Sequence, residues 1–361
     1  MIDRPLIVPI FITQAGCPHR CLFCNGSKIT GEERAFWTEE RFRAEVEKYL
    51  GRPHRKRSAR QIAFYGGNFT GLDETEQRRL LRFAKRYIDG GLIDSLRVST
   101  RPDYIQPRAL ETLQAHGVAT VEIGAQSMDD GVLEKSFRGH TSEDVAAAVS
   151  MLKSAGFETG VHLMAGLPGD SVEGFHRTVE AVIDLRPDMV RIHPTLVFEG
   201  TGLAELFRSG RYTPLSVEDA VELCKYALIG FTRAGIPVIR LGLQTTTEMK
   251  AAGSVLAGPC HPAFRCLVEG ELFHDMAFHL ASRMAVGGGT EPLVFSMSPR
   301  DLSNFLGLRG CNLERIRAQC GRDIAYDTDS LMTRGVLALS CGGKTVERRI
   351  GDLHRRGSRE T

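Results

Sequence analysis

Short apolar runs rich in β-branched residues alternate with amphipathic stretches through the first two thirds of the chain. The apolar runs are Leu6–Thr13, Gln61–Gly67, Leu96–Pro102, Thr120–Ser127, Thr159–Gly166 and Met189–Val197. The amphipathic stretches between them are Glu39–Leu50, Glu74–Ile88, Pro107–His116, Ser142–Ala155 and Ser171–Asp184. Several of these stretches follow a residue suited to capping a helix, namely Thr38, Asp73 or Thr141. The pattern predicts strands and helices in strict alternation.

Alternation of this kind predicts parallel strands joined by right-handed helical crossovers, which is the α/β class. Six such units favour a partial (β/α)6 TIM-like barrel over an open sheet. A further apolar run, Pro237–Leu243, is a candidate for an added strand or edge. The repeat stops near residue 245, so we predict a core domain over residues 1–245 and a smaller C-terminal extension over 246–361 that ends in a basic tail.

Composition narrows the class of protein without naming a function. The chain has 361 residues, of which 42% are hydrophobic and 25% charged, with a formal net charge of +2. These values are ordinary for a globular protein and exclude a wholly disordered, collagenous or coiled-coil chain. The charge neither requires nor excludes a nucleic-acid partner. No apolar run reaches 18 residues and no signal peptide is recognisable, so we expect no membrane span and a cytoplasmic location.

Three of the nine cysteines, Cys17, Cys21 and Cys24, lie within eight residues, directly after the first predicted strand. In a parallel barrel the loops that follow strands line the face where active sites lie. Three thiolates can hold a polynuclear iron–sulfur centre and leave one iron without a protein ligand. A zinc site completed by His19 or by a distant cysteine is the alternative. Three unliganded core thiols fit poorly, because Pro18 and Arg20 belong to a polar loop.

The spacing Cys17-Pro-His-Arg-Cys21-Leu-Phe-Cys24 on such a loop resembles the signature of the radical S-adenosylmethionine superfamily. The resemblance implies a 4Fe–4S cluster on the three cysteines, with the open iron binding the amino and carboxylate groups of S-adenosylmethionine. Reductive cleavage then releases a 5′-deoxyadenosyl radical that abstracts hydrogen. The resemblance places Phe23 near the adenine. It also implies an external one-electron reductant, such as flavodoxin or ferredoxin.

Four further motifs follow predicted strands. They are Tyr65-Gly66-Gly67-Asn68, Ser99-Thr100-Arg101-Pro102, Glu122-Ile-Gly-Ala-Gln126-Ser127 with the nearby Arg138-Gly139-His140, and Met164-Ala165-Gly166-Leu167-Pro168-Gly169. Together they resemble the subgroup that contains the Elongator catalytic subunit and oxygen-independent coproporphyrinogen III dehydrogenase. The resemblance is strong over about residues 5–245.

This narrower resemblance implies roles for individual residues. The turn Gly66-Gly67-Asn68 would bind the amino group of S-adenosylmethionine, and Gln126 and Arg138 would bind its ribose and carboxylate. Ser99 and His162 occupy positions where relatives also contact this cofactor, although with other side chains. The residues alone leave simpler interpretations open: a plain glycine turn, a Gln126 that caps a loop, and an Arg138 in a surface ion pair.

The sequence departs from the Elongator subunit after its core. That subunit continues into an acetyltransferase domain that binds acetyl-coenzyme A, and we expect this chain, which ends at residue 361, to lack it. The Elongator reaction on tRNA therefore does not carry over whole. The basic residues Arg52, Arg55, Lys56, Arg57 and Arg60 form a candidate RNA contact, with a solvated loop as the alternative.

Some groups remain candidates only. Tyr65 and His193 are candidate catalytic residues, and a satisfied core residue is the alternative for each. Cys260, His261, Cys266, Cys311 and Cys320 match no reliable metal-binding pattern. The predicted function is radical S-adenosylmethionine chemistry on an unidentified substrate, with tRNA favoured. The alternative substrates are a small molecule or a protein. The alternative functions are a non-catalytic iron–sulfur sensor and a zinc-stabilised structural protein.

Overall fold

A seven-stranded parallel sheet forms the centre of the protein. The computed structural model describes residues 5–31, 36–51, 59–243, 249, 251, 253–284 and 291–353. The sheet contains β1 (Leu6–Phe11), β2 (Arg60–Tyr65), β3 (Ser95–Thr100), β4 (Val118–Gln126), β5 (Glu158–Ala165), β6 (Met189–Pro194) and β8 (Val238–Leu241). Neighbours in the sheet follow in the order β1-β2-β3-β4-β5-β6-β8, and every pairing is parallel. The predicted TIM-like partial barrel is confirmed.

Helices connect the strands as the alternation predicts. They are α1 (Gly26–Thr30), α2 (Glu39–Leu50), α3 (Glu74–Asp89), α4 (Pro107–Ala115), α5 (Asp130–Lys135), α6 (Ser142–Ser154), α7 (Val172–Leu185), α8 (Gly202–Arg208) and α9 (Val217–Arg233). Thr38, Asp73 and Thr141 each accept a hydrogen bond from a backbone N–H of the first helical turn. These caps satisfy donors that would otherwise lack a partner.

The seventh strand arises from the run predicted as an added strand or edge. β8 pairs with β6, with Val190 opposite Val238 and Ile192 opposite Leu241. It therefore extends the predicted set of six strands to seven at one edge of the sheet. A short antiparallel pair, β7 (Val197–Phe198) with β9 (Val255–Ala257), lies outside this sheet.

The two faces of the central sheet differ in chemistry. Side chains such as Ile62, Phe64 and Val98 are fully buried in the main apolar core, which they share with helical residues such as Phe42 and Leu80. Because strand residues alternate between faces, the neighbours of these residues point to the concave side of the curled sheet. Polar side chains gather on that concave side.

The C-terminal part has its own four-stranded sheet. It comprises α10 (Phe264–Met284), β10 (Leu293–Met297), α11 (Leu302–Leu306), α12 (Cys311–Cys320), β11 (Ile324–Thr328), β12 (Val336–Cys341) and β13 (Lys344–Arg349). The strand order is β11-β10-β12-β13. The division of the chain at residue 245 stays a prediction. Among the described residues, no helix combines the length and apolar character that crossing a bilayer requires.

Candidate active site

The cysteine loop lies at the carboxyl end of β1 and is hydrogen-bonded to the turn that follows β2. The N–H groups of Ile12 and Gln14 donate to the carbonyls of Tyr65 and Gly66, each at 2.8 Å. The N–H of Asn68 returns a bond of 2.9 Å to the carbonyl of Ala15. Since both loops follow neighbouring parallel strands, the sheet itself brings them together.

Close packing explains the two glycines of this turn. Gly66 has a φ of +82°, which favours glycine, and a Cβ at Gly67 would lie 2.4 Å from the carbonyl oxygen of Ile12. A side chain at Gly67 would therefore push the cysteine-bearing loop away. The contact of these glycines with S-adenosylmethionine stays a prediction.

Asn68 is the buried residue that joins three segments of the site. Its side-chain amide donates to the carbonyl of Gly16 at 2.8 Å. Its side-chain oxygen accepts from the Thr100 hydroxyl at 2.6 Å and from the Arg101 N–H at 3.1 Å. Asn68 is fully buried, so water cannot reach its side-chain amide, and these bonds satisfy the amide instead. Asn68 thus holds the residue before Cys17 in place.

An Asn68→Ala variant should lose stability by about 1–3 kcal/mol, because it takes away the side-chain partner of the buried Arg101 N–H and of the Gly16 carbonyl. It should also take up less iron in anaerobic reconstitution, since the cysteine loop loses its anchor. The matched control is Asn312→Ala, which removes a buried asparagine that bonds the carbonyls of Gly270 and Asn304 in the C-terminal part. Equal iron uptake by the two variants would contradict the anchoring role of Asn68.

Arg138 reaches the cysteine loop from the segment after α5. Its Nη1 donates to the Sγ of Cys21 at 3.2 Å, and its Nη2 donates to the carbonyl of Gly124 at 2.5 Å. The side chain is buried, which does not fit the surface ion pair considered above. Arg101, which belongs to the motif after the third predicted strand but received no role there, donates to the carbonyl of Arg138 at 2.6 Å and pairs with Asp103. Its position directly after β3 is the sequence feature that could have indicated a place in the site.

The three thiols are close enough to influence one another. Burial, together with the neighbouring Cys21 and Cys17 thiols, raises the pKa of Cys24 to about 11. Partial burial and Cys21 also raise the pKa of Cys17, while the guanidinium groups of Arg101 and Arg138 oppose the rise. Three ionised thiols packed this closely repel one another, and a bound cationic centre removes that cost.

The donor set fits an iron–sulfur cluster. Within the described ranges, no three His, Cys, Asp or Glu side chains are grouped so that they could hold a metal ion, and this includes Cys17, Cys21 and Cys24. A polynuclear cluster instead takes each thiolate on a different iron, so its ligands need not meet at one point. Three thiols on one loop, with the guanidinium groups of Arg138 and Arg101 nearby, match that requirement.

Buried polar atoms beside the thiols lack partners of their own. Among the described residues, Gln126 Oε1, Arg138 Nε and His140 Nδ1 have no hydrogen-bond partner. The Gln126 and Arg138 side chains meet over Gly124, whose added Cβ would lie 2.9 Å from Gln126 Nε2 and 3.4 Å from Arg138 Nη2. Gln126 also has a φ of 71°, an uncommon conformation for a residue with a side chain. Unsatisfied polar atoms and backbone strain together are typical of a ligand-binding site.

The other residues assigned to the cofactor lie near the same face. Phe23 is buried in a small apolar cluster with Val132, Met164 and Leu167. Ser99 is half-buried on β3. The roles of Phe23 and Ser99 toward S-adenosylmethionine stay predictions.

An ion-pair network covers the concave face of the sheet. Arg97 Nη1 donates to Glu122 Oε1 at 2.8 Å, and Arg191 pairs with both oxygens of the same carboxylate. Tyr65 donates to Glu122 Oε1 at 3.1 Å and accepts from Arg191 Nη2 at 2.8 Å. Burial alone would raise the pKa of Glu122, but Arg191 and Arg97 outweigh it and hold the pKa below its ordinary value. The concave face therefore carries a fixed carboxylate between two guanidinium groups.

A pair of histidines continues this network toward the carboxyl ends of the strands. His162 Nε2 and His193 Nδ1 are 2.8 Å apart, and the two rings meet edge to face. Burial lowers the pKa of both rings, and the charge of Arg191 lowers it further. His193 Nε2 is buried and has no partner among the described residues. Both rings are therefore neutral at neutral pH. The Nε2 of His193 is the ring nitrogen that could bond a ligand.

Two further sets of candidates are the basic residues before β2 and the C-terminal cysteines with His261. Arg52, Arg55, Lys56 and Arg57 fall outside the described residues. Arg60 is described, and its guanidinium donates to the carbonyl of Gly91 at 3.0 Å and lies 4.0 Å from Asp94. The scattered C-terminal cysteines and His261 form no metal-binding group within the described ranges.

Comparison with known proteins identifies the family. Residues 11–182 match the model of the radical SAM superfamily, and residues 187–274 match the model of the radical SAM C-terminal domain. A tRNA uridine(34) acetyltransferase of Methanocaldococcus jannaschii is 29% identical over 267 residues, which are 63% of this chain and 49% of that protein. Elongator complex protein 3 of Bos taurus is 29% identical over 265 residues, covering 60% of this chain and 48% of that protein.

A solved structure supports the fold. The Elp3 of Methanocaldococcus infernus superimposes with a TM-score of 0.57 at 23% identity, over 74% of this chain and 63% of that one. The chain spans about half the length of the curated relatives it matches. The chain therefore belongs to the radical S-adenosylmethionine superfamily of enzymes, whose members bind a 4Fe–4S cluster and S-adenosylmethionine.

Proposed function

We propose that this enzyme holds its cluster on Cys17, Cys21 and Cys24 and acts on RNA, with tRNA as the favoured substrate. The observation that carries the first part is the contact of Arg138 with Cys21 of the three-thiol loop, next to the unpartnered Arg138 Nε and Gln126 Oε1. When bound, the cluster supplies one electron that cleaves S-adenosylmethionine to a 5′-deoxyadenosyl radical. An external one-electron reductant, such as flavodoxin or ferredoxin, would restore the electron.

The chain's own residues would bind and orient S-adenosylmethionine. Arg138 uses Nη1 and Nη2 within the protein, which leaves Nε for the carboxylate of the methionine moiety. Gln126 Oε1 is an acceptor suited to a ribose hydroxyl. The turn Gly66-Gly67-Asn68 would border the amino group, and Phe23 would border the adenine.

The concave face would receive the group that loses a hydrogen atom. His193 Nε2 is the candidate contact, and His162 fixes the orientation of the His193 ring through their shared hydrogen bond. Tyr65 is a weaker candidate because both its donor and its acceptor functions are already used by Glu122 and Arg191. His193 is therefore the stronger of the two candidate catalytic residues, and His162 is a positioning residue for it. A contact of His162 with S-adenosylmethionine stays a prediction.

The names of the relatives favour an RNA substrate over other classes. Those relatives are named as a tRNA uridine(34) acetyltransferase and as Elongator complex protein 3. The sequence also carries the basic residues Arg52, Arg55, Lys56 and Arg57 shortly before β2 and Arg60 at its first position. RNA binding by such residues releases counterions and depends steeply on salt.

A filter-binding series with bulk tRNA tests the substrate class. The cluster-loaded protein should bind more weakly as salt rises, with a slope of about −1.5 or steeper in a double-logarithmic plot, which corresponds to two or more phosphate contacts. Weak tRNA binding whose affinity does not change with salt would contradict an RNA substrate. It would favour a small molecule or a protein as the substrate.

A further inference from the structure

The segment between α5 and Arg138 exposes a large aromatic side chain beside the cysteine loop. Phe137 is 59% exposed, whereas its neighbours Ser136 and Arg138 are buried. The N–H of Leu22 in the cysteine loop donates to the carbonyl of Ser136 at 3.1 Å, so the two segments are in direct contact. Phe137 therefore lies at the edge of the candidate active site.

The backbone of Phe137 has a conformation that suits glycine. Its φ is 55°, and its N–H donates to the carbonyl of Glu134 at 2.9 Å while the N–H of Arg138 donates to that of Leu133 at 3.0 Å. These two bonds are the Schellman pattern that ends a helix, and the residue at this position is usually glycine because it must be left-handed. A phenylalanine here is unfavourable both in its backbone and in its exposure. Helix termination therefore does not explain the aromatic ring.

Basic residues lie on both of the segments that meet at Phe137. His19 and Arg20 of the cysteine loop and Lys135 at the end of α5 are exposed, with Glu134 as the acidic neighbour. His19 packs against this segment, because a Cβ on Gly139 would lie 2.6 Å from His19 Nε2. An exposed aromatic ring next to cationic side chains is the arrangement that stacks an unpaired nucleobase and neutralises its phosphate.

We propose that Phe137 stacks on an unpaired base of the RNA substrate, with Arg20 and Lys135 contacting the flanking phosphates. This inference rests on the proposed RNA substrate. It adds a specific contact that would place one nucleotide of a single-stranded loop next to the cofactor site. Fully paired RNA has no free base to offer, so the contact also selects for a loop or an end.

The Phe137→Gly variant separates stacking from folding. Glycine suits the left-handed position, so the melting temperature should stay the same or rise. Binding of bulk tRNA to the cluster-loaded protein should weaken about tenfold, within the range measured when a stacked aromatic is removed. The salt slope should not change, because phenylalanine carries no charge. Phe137→Trp should keep the affinity.

Two controls make the result specific. Phe278→Ala removes an exposed phenylalanine of α10 and should leave tRNA binding unchanged. A fully paired RNA duplex should bind the wild type and Phe137→Gly equally. If Phe137→Gly binds tRNA as tightly as the wild type, or loses duplex binding to the same degree, the stacking role is wrong while the RNA substrate stands. A wild type that binds no tRNA overturns both.

Discussion

Replacing Cys21 by alanine is expected to abolish cluster assembly and, with it, all production of 5′-deoxyadenosine. In the proposed cluster each of the three thiolates would bind one iron, so removal of one ligand would expose a second iron to solvent. Cys21 is also the thiol that accepts the hydrogen bond from Arg138. After anaerobic reconstitution, the variant should lack the brown colour of the wild type and contain little iron.

Cys266→Ala is the matched control for this loss. Cys266 is an exposed thiol of α10 in the C-terminal part, far along the chain from the cysteine loop. Its removal should leave colour, iron content and 5′-deoxyadenosine production at wild-type values. Full iron content in Cys21→Ala would contradict the assignment of the cluster to this loop, and a colourless wild type that holds zinc would favour the structural alternative.

Replacing Glu122 by glutamine should destabilise the protein by about 3–5 kcal/mol, the usual cost of removing one member of a buried ion pair. The carboxylate of Glu122 is buried and contacts Arg97, Arg191 and Tyr65. Its loss leaves the buried Arg97 with only Glu158, 3.7 Å away, as a carboxylate neighbour and removes the carboxylate that pairs with Arg191. Urea denaturation of the apoprotein measures the change directly.

Glu74→Gln tests whether burial of the ion pair is the reason for the loss of stability expected in Glu122→Gln. Glu74 also bridges two arginines, Arg78 and Arg108, but on the surface of α3. Surface ion pairs contribute little because water and salt screen them, so Glu74→Gln should leave the midpoint of unfolding unchanged. Equal effects of the two substitutions would contradict a central role for the buried network.

The same network predicts the direction of the pH dependence. The pKa of Glu122 is lower in the folded protein than in the unfolded chain, so its contribution to stability is present above the unfolded pKa. The contribution is lost as the pH falls through the folded pKa. The difference in stability between wild type and Glu122→Gln should therefore shrink in acid.

The fold and the cysteine loop follow from local sequence patterns. Runs such as Leu6–Thr13 and Thr159–Gly166 are apolar and β-branched, and their alternation with amphipathic stretches leaves few topologies open. The position of Cys17, Cys21 and Cys24 directly after a strand places them at the carboxyl end of the sheet. These features depend on short segments and on the general rules of parallel sheets.

The contacts that complete the site depend on residues far apart in the chain. Asn68 joins Gly16 to Arg101, and Arg138 reaches Cys21 across 117 positions. No local pattern encodes such a pairing. Phe137 was missed for a different reason: a left-handed phenylalanine contradicts the preference for glycine at the end of a helix, so its conformation is visible only in the structure.

The most direct test of the central claim is the production of 5′-deoxyadenosine by the wild-type protein. The protein is reconstituted with iron and sulfide without oxygen, reduced with dithionite and incubated with S-adenosylmethionine, and the product is quantified by mass spectrometry. We predict that 5′-deoxyadenosine forms in proportion to the cluster content of the sample. A brown, fully loaded protein that forms none would contradict the claim that the three-cysteine loop leaves an iron open to S-adenosylmethionine.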